Sequence, residues 1–172
     1  WIGGDGDWND GSNWSLSSGG TSANCIPGLL DNVIFDVNSS TADFEVVLPN
    51  HAHVGNLIST SDDELVLIGD GWFAINGSLK LNYKSQLNLK QTWNSSEILL
   101  TNGSGLDSLI SPRLIRGSVS IIGDGGYIVK DSLKVEGILG VVNGSLHMPN
   151  AYIEVNYFRD RNYPRGGSIG DS

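Results

Sequence analysis

The sequence predicts an all-β chain: a repetitive β-solenoid, parallel β-helix-like, with a tryptophan-rich segment capping its start. Three observations carry this expectation. The 172 residues include 23 glycines and only 17% charged residues, with abundant Asn, Asp and Ser. That is the composition of many short strands joined by many turns, and a poor one for helices. Short runs alternate apolar and polar residues with no helical period. One stretch also echoes another later in the chain, as stacked repeats do. A β-sandwich with two similar hairpins is the alternative.

Taken in order, residues 1–30 form a Trp/Gly-rich opening module, WIGGDGDWNDGSNWSLSSGGTSANCIPGLL. It has few aliphatic residues and three of the five tryptophans, Trp1, Trp8 and Trp14, which are expected to seal the end of a core. Residues 31–158 are the β-repeat body. Its first strands are DNVIFDV (31–37) and FEVVL (44–48), the latter stopped by Pro49 and Asn50. His51 and His53 then read as solvated turn residues. Further strands are expected at 56–60, 64–69, 72–75, 78–82, 86–90, 97–101, 118–123, 127–130, 132–136, 138–142, 145–148 and 151–157. The polar, Gly-rich residues 159–172 read as a linker or the start of a next module.

The echo aligns VLIGDGWFAINGSLKL (66–81) with SIIGDGGYIVKDSLKV (120–135) without gaps, at an offset of 120 − 66 = 54 residues. Such an interval holds two or three coils. Four strands of the body begin at 56, 78, 97 and 118, in steps of 22, 19 and 21. An Asn-Gly-Ser turn recurs at Asn76, Asn102 and Asn143. Inward positions should include Leu79, Leu81, Leu99, Ile121, Leu133 and Val135.

The formal net charge of −9 argues against nucleic acid and anionic lipid as partners, since both require clustered Lys and Arg. No apolar run approaches the length of a membrane span. The chain opens at Trp1 without an initiator Met or an apolar leader, so either a signal peptide has been removed or the chain is an internal piece. The lone Cys25 is expected to pair outside the chain or to sit buried as a small hydrophobe.

Few residues suggest chemistry. Asp5, Asp7 and Asn9 before Gly11 resemble the opening of a calcium loop, so calcium is the one cofactor the residues point to, although no acid stands at the twelfth position. His51 and His53 would share a face on a strand, the start of a metal site that lacks a third ligand nearby. Asp62, Asp63 and Glu64 form an acidic run, and Asp70 and Asp124 sit in Gly-Asp-Gly turns. None of these is the separated carboxylate pair of a glycosidase. Trp72 and Trp93, with Phe73 and Tyr83, are candidates for a sugar-stacking platform. Asn-x-Ser/Thr sequons at Asn13, Asn38, Asn76, Asn94, Asn102 and Asn143 would be N-glycan candidates in a eukaryote, but in an Asn- and Ser-rich β protein most arise from turn chemistry. No nucleophile elbow, phosphate loop or Ser–His–Asp arrangement is seen, so no catalytic residue is assigned and a non-enzymatic role is expected.

The opening string, with Trp1, Gly3, Gly4, Gly6, Trp8, Asp10 and Trp14, then Ser18-Gly19-Gly20, Pro27 and Asp31-x-Val33-x-Phe35-Asp36, resembles a module of large secreted Bacteroidetes proteins. These include the gliding-motility adhesins and related surface proteins exported by the type IX secretion system. The resemblance covers about residues 1–40. It implies an extracellular, cell-surface location and a role in adhesion or motility without catalysis. The partners it implies are the type IX secretion machinery and outer-surface proteins or glycans. It also implies O-glycosylation at Asp-Ser/Thr-aliphatic sites, which Asp107-Ser108-Leu109 and Asp131-Ser132-Leu133 match. A carbohydrate-binding module of a secreted enzyme is the rival reading, and a β-helix polysaccharide lyase the third.

Overall fold

In the computed structural model, which describes residues 1–89, 96–160 and 168–170, the chain winds as a β-solenoid of about 6 turns with no α-helix among those residues. After β1 (Gly6–Asp7) and a single 3-10 turn at Gly11–Asn13, each turn lays down three strands. They are β2 (Asn32–Phe35), β3 (Phe44–Val47) and β4 (His51–Val54), then β5 (Asn56–Ser59), β6 (Leu65–Gly69) and β7 (Trp72–Ile75). Next come β8 (Leu79–Lys80), β9 (Ser85–Leu89) and β10 (Glu97–Leu100). The later strands bend around corners: β11 (Leu106–Ile115), β12 (Ser118–Ile121), β13 (Gly126–Val141), β14 (Ser145–His147), β15 (Tyr152–Asp160) and β16 (Ser168–Gly170).

Every strand pairing among the described residues is parallel, as a coil that always winds one way requires. The strands make three faces. The first runs β2-β5-β8-β11-β13, the second β1-β3-β6-β9, and the third β4-β7-β10-β12-β13. Hydrogen bonds between neighbouring coils join residues 20 to 30 apart.

Alternation puts every second side chain inside, and parallel register stacks like on like. On the third face Ala52, Phe73, Ile98, Val119 and Leu139 form one inward column, and Val54, Ile75, Leu100, Ile121 and Val141 the next. On the first face the column is Val33, Leu57, Leu79, Leu109 and Val129. All are buried in one continuous core. Each Val, Leu, Ile or Phe among them contributes about 1.5–3 kcal/mol by leaving water. Two buried polar groups pair with each other, the Ser59 and Ser85 hydroxyls meeting at 2.7 Å.

The opening module closes the first end of this core. Trp8, Trp14 and Trp1 are 1%, 5% and 6% exposed. Trp14 meets Trp1 and Trp8 edge to face, with ring centroids 4.8 and 4.7 Å away, and Trp8 continues onto Phe73 at 5.4 Å. Two of the indole N–H groups are satisfied locally, Trp14 Nε1 donating to Trp8 O at 2.8 Å and Trp1 Nε1 to Gly4 O at 2.9 Å. The glycines of the motif make room for this. A Cβ on Gly3 or Gly6 would fall 2.4 or 2.6 Å from the Asn13 amide, which is wedged between them and donates to Asp7 O. Val33 and Phe35 of the Asp-x-Val-x-Phe-Asp string are the first inward residues, while Asp31 and Asp36 accept backbone N–H bonds in the flanking turns.

The structure departs from the sequence reading in four places. His51 and His53 lie on strand β4, not in a turn. Residues 106–115, in which no strand is expected, form β11, whose irregular register lies around Pro112. Leu99 faces outward, with Ile98 and Leu100 inward. In a run of three apolar residues parity cannot be read, and the stacking partners Phe73 and Ile75 decide it. The tail holds β16, which pairs with β14, so pairing extends past residue 158.

The 54-residue echo also proves to be out of phase with the coil. Residues 66–69, 72–75 and 79–80 occupy the second, third and first faces, whereas 120–121, 126–129 and 133–134 occupy the third, first and second. Inward parity is kept throughout, with Phe73, Ile75, Leu79 and Leu81 buried like Tyr127, Val129, Leu133 and Val135. The echo therefore spans a whole number of strands but not of turns. The Asn-Gly-Ser turns are in phase, since all three stand at the corner leading from the third face to the first.

Two outcomes follow from this packing. Trp8→Ala should lower unfolding stability by about 3–5 kcal/mol, the usual result of emptying a large buried aromatic site, as measured by chemical denaturation; a loss below about 1 kcal/mol would mean the tryptophan seal is dispensable. Tyr127 is fully buried and its hydroxyl donates to Gly77 O at 3.0 Å. Burial raises its phenol pKa, so above the ordinary value of 10.0 the unfolded phenol ionises while the native one stays protonated, and stability falls as pH climbs. Tyr127→Phe should cost about 1 kcal/mol at neutral pH and flatten that alkaline fall; an unchanged pH profile would contradict the assignment.

Candidate functional site

Register that stacks the core also stacks what faces outward. On the third face Trp72 lies opposite Glu97, Glu97 opposite Ser118, and Ile138 opposite Tyr157. Ser118 and Ile138 are joined by the Ile138 N–H, which donates to Ser118 Oγ at 3.1 Å. The neighbouring outward column is Leu99, Ser120 and Gly140. The middle of this face is thus floored by Ser118, Ser120 and Gly140, all small, while larger side chains stand at either end.

The result is a trough of about 940 Å³. One wall is the corner between the second and third faces, where Asn88, Arg116, Glu136 and Asn156 follow one another coil by coil. Ser120 Oγ donates a short hydrogen bond to Glu97 Oε1, which holds that carboxylate against the floor. Among the described residues the lining carries the carboxylates of Glu97 and Glu136 and the guanidinium of Arg116.

One coil before the trough, opposite its lining residue Glu97, Trp72 packs against both histidines of β4. Its ring centroid lies 4.8 Å from that of His51 and 4.6 Å from that of His53, at interplanar angles of 60° and 87°. The two imidazoles therefore share a face, as alternate strand residues must, and they steady an indole. At the tail, Tyr157 is 71% exposed.

The other sequence candidates fall elsewhere. Asp5 Oδ1 accepts the Glu45 N–H and Asp7 Oδ1 the Asn9 N–H, both at 2.7 Å, so these carboxylates serve the turn and the first sheet edge. No group of three or more His, Cys, Asp or Glu that could hold a metal occurs among the described residues. Glu64 pairs with Arg113 at 2.7 Å, and His147 contacts Ser145 Oγ at 3.0 Å. Phe73 belongs to the core and cannot stack on a ligand. Tyr83 is 72% exposed in a turn. Trp93 and Asn94 lie outside the described residues. Ser108 and Ser132 are partly exposed. Cys25 is free and exposed, so it is not the buried thiol that was one of two expectations.

Sequence reasoning found Trp72 but missed Glu97, Ser118, Ser120, Gly140 and Tyr157. Their one signal is that they recur near the coil period, which becomes visible only once the register is known. Comparison with family models, with curated proteins and with solved structures gives no match for the chain.

Proposed function

We propose that this chain is a structural and adhesive segment of a long secreted bacterial surface protein, of the kind exported by the type IX system and used in attachment or gliding. The observation that carries the reading is the opening module. The residues responsible for the resemblance, Trp1, Gly3, Gly6, Trp8 and Trp14, are those that seal the solenoid. The motif is thus an architectural device for starting a stack of coils. A solenoid gains length by adding coils, each contacting only its neighbours, which suits a protein that must project from a surface. The acidic charge of −9 suits solubility outside the cell.

The trough favours a second reading, a carbohydrate-binding module attached to a secreted enzyme. Flanking sequence separates the two: further W-x-G-G modules support the adhesin, a catalytic domain the binding module.

On intact cells of the source organism, brief protease treatment should release peptides from this chain, and loss of the secretion system should abolish their release. Peptides containing Ser108 or Ser132 should carry hexose-type mass additions. Peptides released only after lysis would overturn the surface reading, and unmodified serines in a host that glycosylates would remove both sites.

A further inference from the structure

We infer that the third-face trough binds a neutral glycan chain lying along the solenoid axis, across the strands, with Tyr157 stacking on it at one end and Trp72, one coil beyond Glu97, where it leaves the other. The inference deepens the adhesive reading and rests on it for its biological setting alone.

Register supplies the geometry. Trp72, Glu97, Ser118, Ile138 and Tyr157 occupy successive coils in one outward column. Four steps of the usual inter-strand spacing put the two aromatic positions roughly 19 Å apart. The floor between them is kept low by Ser118, Ser120 and Gly140. A ligand touching both aromatics must be a chain of several units, and it must cross the strands.

Chemistry selects the class. Strands β10 and β12 are paired on both sides, β10 with β7 and β12, β12 with β10 and β13. Their backbone donors and acceptors are used, so a peptide cannot add itself as a further strand. Recognition falls to side chains: flat aromatic rings, hydroxyls, the Glu97 carboxylate and the corner amides of Asn88 and Asn156. Aromatic planes with a few polar groups between them suit sugar rings, whose faces are apolar and whose rims are hydroxylated. Among the described residues two carboxylates stand in the lining with one guanidinium, and the net charge of −9 disfavours a polyanion.

The test is calorimetric titration of the purified chain with neutral hexasaccharides (cellohexaose, laminarihexaose, xylohexaose and mannohexaose), their disaccharides, polygalacturonate and unfolded casein. At least one neutral hexasaccharide should bind saturably. Trp72→Ala and Tyr157→Ala should each weaken it about tenfold, the loss of one stacking contact. The matching disaccharide should bind more weakly and respond to at most one of the two substitutions. Tyr83→Ala, an exposed aromatic outside the trough, should change nothing. Tyr157 is exposed enough that its removal leaves folding intact, which circular dichroism checks. Failure of all four hexasaccharides, binding of polygalacturonate or casein alone, or an equal loss in Tyr83→Ala would overturn the proposal. Glycan binding by a chain that proves shielded inside the cell would instead sink the surface reading and leave the trough standing.

Discussion

Each inward side chain rests on the side chain of the coil before it, and this in-register parallel stacking is the constraint on which the molecule depends. The column from Ala52 through Phe73, Ile98 and Val119 to Leu139 is the clearest case. A slip of one residue in any strand would turn its whole apolar set to solvent, so each corner must deliver the next strand in phase. The corners are accordingly specific. A Cβ on Gly71 would lie 1.6 Å from Asn50 O, and Asn102, buried at the opposite corner, donates to both Gly105 O and Gly126 O.

A parallel stack has two ends, and an open end exposes both apolar surface and unpaired strand edges. The opening module answers this at one end with three tryptophans, which cover a large area with few rotatable bonds. Its glycines are the condition for that packing, because the chain must fold back close enough for Asn13 to lie against Gly3 and Gly6. This is why the motif mixes the largest residue with the smallest. Along the body the same area is covered by neighbouring coils, and the aromatic content falls.

How far the sequence discloses the structure can be judged from particular residues. Clean alternation, as at Leu79, Leu81, Leu87 and Leu89, is read correctly, because in and out differ in polarity. Leu99 fails because Ile98 and Leu100 offer the same chemistry on both faces, and only the neighbouring coil breaks the tie. Strand β4 is hidden by histidines following a proline, and β11 by an internal Pro112 that parallel pairing tolerates at a register shift. The echo reports strand–turn–strand chemistry correctly but misleads about the period, since a strand and its corner can serve any face. The trough is the least legible part. Trp72 was visible as an aromatic, but Glu97, Ser118 and Tyr157 become its companions only through register.

The same constraint explains why a binding surface would form there. Backbone hydrogen bonding is spent on holding the coils together, so an inner strand offers only its outward side chains. Those side chains arrive in straight files, one per coil, because the core beneath them is in file. A change at the outward Ser118 therefore falls on the trough, whereas a change at Val119 or Leu139 falls on the core. The outward and inward files thus occupy alternate residues of one strand, and the outer file is free to vary its chemistry, from the His51–Trp72–His53 cluster at one end to the serine floor in the middle, while the inner file stays apolar.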